Sequence, residues 1–244
     1  MANWSDPRSN IAGFGGATVA RGEAFDAGLR SYMLSVYNYM ASGVLLTGLV
    51  AMLFASSGFA AQILTGPGIL KYVIMLAPLA FVMVMSFGMS RLSTVAMQAL
   101  FWAYAVTMGL SLSSILLVYT GTSVAQTFFA TAAAFAGLSL WGYTTKKDLS
   151  GFGTFLIMGV VGLLVASLIN LFLRSSAMDM VISFIGVLVF AGLTAYDTQK
   201  IKSIYAHVAG TDMMGKSVVM GALNLYLDFI NMFLFLLRFM GNRD

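Results

Sequence analysis

The sequence contains no cysteine and a single histidine, His207. Without cysteine the chain cannot form a disulfide, use a thiol in catalysis or bind a metal through thiolates. A lone histidine is too few for a histidine metal cluster or a catalytic triad, and we interpret His207 as a loop residue. These absences exclude thiol catalysis and histidine-based sites, and we expect no resident metal or cofactor and a protein that is not an enzyme.

Charged residues are also scarce, at 9% of the chain, whereas soluble domains carry roughly a quarter. Hydrophobic residues make up 59%, and the mean hydropathy is +0.89. Between Ser31 and Thr145 the only formal charges are Lys71 and Arg91. This composition excludes a soluble globular class and predicts an integral membrane protein.

Apolar stretches of about 20 residues match the thickness of a bilayer core when they are helical. On that scale the chain divides into seven predicted spans, at about 32–56, 70–90, 94–118, 122–144, 152–173, 177–199 and 218–239. The predicted fold class is all-α: a polytopic membrane bundle of seven transmembrane helices. Residues 1–31 are predicted to be a flexible cytoplasmic tail, and residues 32–244 a single domain.

The distribution of lysine and arginine predicts the orientation. With the N-terminus in the cytoplasm, nine of the thirteen basic residues lie on that side: Arg8, Arg21, Arg30, Arg91, Lys146, Lys147, Lys200, Lys202 and Lys216. This positive-inside bias favours a cytoplasmic N-terminus and an external C-terminus. The net charge of +4 then reflects topology and contact with lipid headgroups, and without a clustered basic patch it does not indicate nucleic acid binding.

Two aspartates, Asp197 and Asp228, lie within these apolar segments. An ionised side chain costs about 2.5–3.5 kcal/mol at the centre of a membrane helix on insertion scales, so such residues are functional hypotheses by default. The midpoint of 197 and 228 falls in the polar connection between spans six and seven, so a helical hairpin would bring the carboxylates together if helix six continues toward Ala206. Asn224, Asp228, Asn231 and Arg238 recur at helical spacing, which predicts a polar stripe facing away from lipid.

Paired carboxyl groups have a specific chemistry in this setting. They cannot both ionise cheaply, so they release their protons in two coupled steps, which would make a proton switch without histidine. When ionised they offer hard oxygen ligands to Ca²⁺, with Asn224 and Asn231 as carbonyl donors, and so few ligands predict the weak binding that conduction needs. Arg91 could pair with Asp197 and hold a closed state. The alternative for Asp197 is an interfacial residue paired with Lys200 or Arg91.

Three segments carry a resemblance to a known family. Residues 195–199 read AYDTQ and residues 225–231 read LYLDFIN. Residues 146–150 read KKDLS, a short connection in which Asp148 or Ser150 is expected to cap the fifth helix. Together they resemble the transmembrane Bax inhibitor motif family, or Bax inhibitor-1 family, over residues 25–241, and the GNR ending at 241–243 resembles its bacterial inner-membrane branch.

The resemblance implies a seven-helix bundle and a pH-sensitive Ca²⁺ leak, with Asp197 and Asp228 as a di-aspartyl sensor that contacts Ca²⁺ transiently. It also implies a basic latch near the end of span two, where residues 87–91 read FGMSR and offer Arg91. Span two has no acidic residue, unlike some relatives, so a pore here is expected to be less selective for Ca²⁺. The expected partners are the lipid bilayer, Ca²⁺ and protons.

Two other functions compete with the leak channel. One is a non-conducting modulator that binds other membrane proteins, for example in protein quality control. The other is an intramembrane aspartyl protease, which also uses two membrane aspartates on consecutive helices. The protease reading is disfavoured because residues 225–228 read LYLD and not the Gly-x-Gly-Asp pattern of such proteases.

Overall fold

Seven helices of the described chain are long and apolar enough to cross a membrane, as predicted. The structure, a computed structural model, describes residues 12–242, with side chains from Glu23 onward. Its helices are α1 (Ala12–Ser56), α2 (Phe59–Thr65), α3 (Leu70–Gly88), α4 (Thr94–Leu112), α5 (Gly121–Thr144), α6 (Ser150–Leu173), α7 (Ser176–Val208) and α8 (Met213–Met240). The short α2 lies between the first two spans, and a single 3₁₀ turn, Ile115–Leu117, follows α4.

Hydroxyl side chains define where three of the membrane helices begin. Ser93, Thr120 and Ser175 each accept a hydrogen bond from the backbone N–H three residues further on, at 3.2, 3.2 and 3.3 Å. These bonds satisfy backbone donors that the first turn of a helix leaves without a partner. The boundaries of α4, α5 and α7 are therefore set by local chemistry and lie close to the predicted ends of the spans.

The start of α6 differs from the predicted cap. Leu149 occupies the N-cap position and provides no side-chain cap. Asp148, one residue earlier, accepts a hydrogen bond from the backbone N–H of Ser150 at 2.9 Å. Hydrogen bonds from the hydroxyl and the backbone N–H of Ser150 lower the pKa of the Asp148 carboxyl. Asp148 thus lies just outside α6 and accepts a hydrogen bond from a backbone N–H of its first turn.

Helix α1 begins at Ala12 and is 45 residues long, so it includes residues 12–31 of the predicted tail, whose flexibility and cytoplasmic location stay predictions. The remaining part of that prediction, residues 1–11, lies outside the described residues. Four of the eleven residues 17–27 are alanine, the residue with the highest helix propensity. A helix started in the membrane can therefore continue beyond it, and hydropathy alone does not mark that extension.

Helix α8 is the centre of the bundle and packs against α7, α1, α5 and α4. The Tyr226 Oη and Thr47 Oγ1 atoms lie 2.7 Å apart, and Thr47 Oγ1 donates to the carbonyl of Ala105 at 2.8 Å. Since a hydroxyl has one proton, Tyr226 is the donor to Thr47. The rings of Phe101 and Tyr104 meet Tyr226 edge to face. This cluster joins α1, α4 and α8 in a fully buried core.

Candidate functional site

Both membrane aspartates line one cavity inside the bundle. The cavity has a volume of about 370 Å³ and is lined by α6, α7 and α8. It is partly open, since Leu164 in its wall is 61% exposed. Its polar lining consists of Ser167, Asp197, Asn224, Asp228 and Asn231, and the remaining lining residues are apolar. None of the residues that line it is a lysine or an arginine, so the described wall carries only acidic or neutral groups.

The hairpin of α7 and α8 explains why the two carboxyl groups line the same cavity. Helix α7 continues beyond Lys200 to Val208, as the pairing of the aspartates requires, and α8 begins at Met213. Gly210 lies in the connection with φ of +74°, a left-handed conformation that favours glycine. The turn is therefore short and nearly equidistant from Asp197 and Asp228, so the antiparallel helices place them at similar depth.

The two aspartates differ in burial. Asp228 is only 4% exposed, and its Oδ2 has no hydrogen-bond partner among the described residues. Asp197 is half-buried, and it lines the same cavity as Asp228. Lys200 lies one turn further along α7, and its Nζ is 5.8 Å from the centre of the Tyr196 ring. Asp228 is consequently the more isolated acid.

The two asparagines on α8 differ in their hydrogen bonding. Asn231 Nδ2 donates to the carbonyl of Leu227 at 2.8 Å, which leaves its Oδ1 as the group available to the cavity. Asn224 makes no side-chain hydrogen bond with a described residue, and it is half-buried. The cavity therefore combines two carboxylates with two amide oxygens. No group of three or more acidic or histidine side chains suited to a metal occurs in the part of the chain that the structure describes.

Arg238, the last member of the predicted stripe, lies beyond this cavity. It is exposed, and its Nη1 is 3.4 Å from Oδ1 of Asp179. Both residues line a second, more polar recess of about 640 Å³ together with Asn170 and Arg174. Ser167 lines both spaces, so the recess adjoins the carboxylate cavity. The stripe is thus interior for its first three members only, because Arg238 follows Asn231 by seven residues, or about 10 Å of helix.

Arg91 is not in contact with the cavity. It lies exposed in the turn between α3 and α4, where its backbone N–H donates to the carbonyl of Gly88 at 2.9 Å. Within residues 23–242 the ion pair is that of Arg238 with Asp179, and Arg91 forms none. The structure does not bring Arg91 to Asp197, and its role as a latch stays a prediction.

Gln199 has a structural role that the sequence reasoning missed. Its Oε1 accepts from the backbone N–H of Leu149, and its Nε2 donates to the carbonyl of Lys147, both at 2.8 Å. Lys202, one turn further on, donates to the carbonyl of Tyr143 at 2.8 Å. The AYDTQ and KKDLS segments are therefore in direct contact. Both segments carry the family resemblance, and this common feature is the sequence signal that they could interact.

The fold and this site define a polytopic helical membrane protein with an acidic cavity between its last three helices. The family profile described as "Inhibitor of apoptosis-promoting Bax1" matches residues 29–244. An uncharacterized protein of Rickettsia prowazekii is 48% identical over 229 residues, covering 93% of this chain and 95% of its own. The inner membrane protein YbhL of Escherichia coli K12 is 47% identical over 219 residues, covering 89% and 94%.

An uncharacterized membrane protein of Streptococcus pyogenes is 40% identical over 221 residues, with 90% of this chain and 96% of the relative covered. The similarity therefore extends over nearly the full length of each relative. The chain belongs to the Bax inhibitor-1 family. The resemblance read from the three segments is confirmed.

Proposed function

We propose that this protein is a pH-sensitive cation leak channel that conducts Ca²⁺, with Asp197 and Asp228 as its proton-controlled site. The observation that carries the proposal is that both carboxyl groups line one cavity, between α6, α7 and α8, that has no basic lining residue. A buried acid without a hydrogen-bond partner is costly to keep, so its retention at Asp228 supports a functional role.

Protonation controls the charge of this cavity. Neighbouring carboxyl groups titrate as a coupled pair, because ionising the first makes ionising the second more costly. At low pH the pair is neutral or shares one proton, and the cavity attracts cations weakly. At high pH it carries up to two negative charges without a basic residue in its wall. The proposed leak therefore increases as the pH rises through the titration of the pair.

The ligand set fits an ion that passes through and is not retained. Ca²⁺ takes six to eight oxygen ligands when bound tightly. The cavity offers the carboxylates of Asp197 and Asp228 and the amide oxygens of Asn224 and Asn231. Water would have to complete the shell, which makes binding weak and release fast, as conduction requires.

The test is Ca²⁺ flux into proteoliposomes that contain only this protein, measured from mildly acidic to mildly alkaline pH. The proposal expects a leak that Asp228→Asn abolishes and whose pH dependence Asp197→Asn shifts. Asp212→Asn is the matched control, since Asp212 is an exposed acid in the turn between the same two helices. A leak that persists unchanged in both cavity variants refutes the mechanism.

The same preparations separate the competing functions. Cleavage of a membrane substrate that both aspartate variants lose would identify an intramembrane protease. A stable complex with another membrane protein, without flux at any pH, would identify a non-conducting modulator. We further propose a cytoplasmic membrane location with the N-terminus inside, supported by the positive-inside bias and by the inner membrane protein YbhL as a relative.

A further inference from the structure

A deep groove runs between α1 and α5 on a different face of α8 from the carboxylate cavity. Both helices pack on α8, but they make little contact with each other. The groove has a volume of about 730 Å³, and its floor includes Phe135 and Phe229. Leu34, Leu45 and Leu140 line it and are more than half exposed, at 53%, 68% and 64%. It therefore opens sideways toward the bilayer.

One end of this groove is cationic. Arg30 is the single charged residue among those that line it, and it is exposed. Asp26, one turn earlier on α1, forms no ion pair with it among the described residues. Lys202 lies at the same end, since its Nζ is 4.8 Å from the centre of the ring of Tyr143, which also lines the groove. Two positive charges thus lie near the mouth without a carboxylate in the wall.

The length of the groove matches one leaflet. The lining of α1 extends from Arg30 to Leu45. The fifteen steps between these two residues span about 22 Å at 1.5 Å per residue. Half of a bilayer with its headgroups is about 20–22 Å thick. Arg30 consequently lies at headgroup depth when Leu45 is near the midplane.

Beyond Leu45 the groove is continuous with a second apolar space of about 500 Å³, because Val44, Leu45, Phe128 and Phe229 line both. No charged residue lines that second space. The two ends of the groove are therefore chemically different, and only the end at Arg30 matches an anionic headgroup.

We propose that the groove binds an anionic glycerophospholipid, with an acyl chain between α1 and α5 and its phosphate at Arg30 and Lys202. Arginine presents a planar fork of donors that matches phosphate oxygens, and lysine adds a point charge. Tyr37 and Tyr143, both lining the groove, have the amphipathic rings that are enriched at membrane interfaces. The site is independent of whether the protein conducts ions.

Native mass spectrometry of the purified full-length protein tests this site, with phosphatidylglycerol and phosphatidylethanolamine supplied in equal amounts. Each cation near an anionic surface contributes about fivefold in affinity, so the wild type is expected to retain phosphatidylglycerol about 5- to 25-fold over phosphatidylethanolamine. Arg30→Gln and Lys202→Gln are each expected to lower this preference about fivefold. Arg91→Gln, which changes an exposed arginine that does not line the groove, is expected to leave it unchanged.

A groove-filling variant separates the apolar part of the site from the charge. Ala136 lines the groove and is exposed, so Ala136→Leu is expected to reduce retention of both lipids with little effect on folding. Thermal denaturation of each variant without added lipid checks that it is folded. Equal retention of both lipids by the wild type, or equal losses for Arg30→Gln and Arg91→Gln, overturns the proposal. A mass spectrum in which the purified protein carries one bound helical protein per chain, and no lipid, overturns the proposal as well.

Discussion

Replacing Asp228 with leucine is expected to stabilise the protein while it abolishes the proposed leak. Asp228 is 4% exposed, and its Oδ2 lacks a hydrogen-bond partner among the described residues. A buried polar group without a partner costs about 1–3 kcal/mol, and leucine has about 0.5 kcal/mol better helix propensity than aspartate. The apolar residues that share the cavity, such as Leu163 and Leu193, would contact the new side chain.

The expected gain in the free energy of unfolding is therefore about 1–3 kcal/mol. For a chain of this size, such a gain raises the melting temperature by about 2 to 12 °C. Thermal denaturation in detergent, followed by tryptophan fluorescence, measures this change, and the flux assay runs on the same preparations. Asp179→Leu is the control, since its exposed ion pair with Arg238 contributes only about 0–1 kcal/mol.

A clear loss of stability in Asp228→Leu would refute the reasoning. It would mean that the carboxyl group has favourable interactions that the described protein groups do not supply. A stabilised variant that still conducts would confirm that burial of Asp228 is costly but would refute its role in the leak.

Three other predictions concern the packing and the orientation. Gln199→Leu is expected to cost about 1–2 kcal/mol of local stability, because it removes two hydrogen bonds to the α5–α6 connection. Amide hydrogen exchange in that connection should become faster, and unchanged exchange would contradict the prediction. Thr47→Val is expected to destabilise by about 1–3 kcal/mol and Tyr226→Phe by about 1, because only the former leaves a buried hydroxyl, that of Tyr226, without a partner. The reverse order in thermal denaturation would exclude this network. Because the chain has no cysteine, the variants Asp212→Cys and Ser57→Cys each introduce a single thiol that reports topology. An impermeant thiol reagent applied from outside is expected to label Ser57→Cys and not Asp212→Cys. Labelling of Asp212→Cys alone would mean the opposite orientation.

The sequence predicts the fold well because apolar run length is a direct physical requirement of the bilayer. The last predicted span, 218–239, lies within α8, and the span predicted at 122–144 differs from α5 by one residue. Hydropathy does not mark the N-terminal part of α1, because the charges of Arg21, Glu23, Asp26 and Arg30 interrupt its apolar residues. Only helix propensity points to it, and propensity alone is a weak predictor.

The candidate site is partly visible in the sequence. The shared cavity of Asp197 and Asp228 follows from counting residues on each side of one turn, which requires only that two consecutive helices form a hairpin. The contact of Gln199 with residues 147 and 149 depends on how α7 packs beside the α5–α6 connection, and one sequence does not define that neighbour. The prediction for Arg91 faces the same difficulty, since it needs the placement of α3 relative to α7.

Helix α8 shows why one segment can serve two environments. Asp228 faces the acidic cavity, and the next residue, Phe229, lines the apolar groove, because successive residues on a helix point about 100° apart. The polar residues Asn224, Asp228 and Asn231 therefore share one face, while Phe229 and Phe233 contact the aromatic ring of Phe128 on another. A substitution on the groove face, such as Ala136→Leu on α5, consequently tests whether packing against α8 alters the cavity. If the two faces are coupled through α8, this variant shifts the pH at which the leak rises; if α8 is rigid, it changes lipid retention alone.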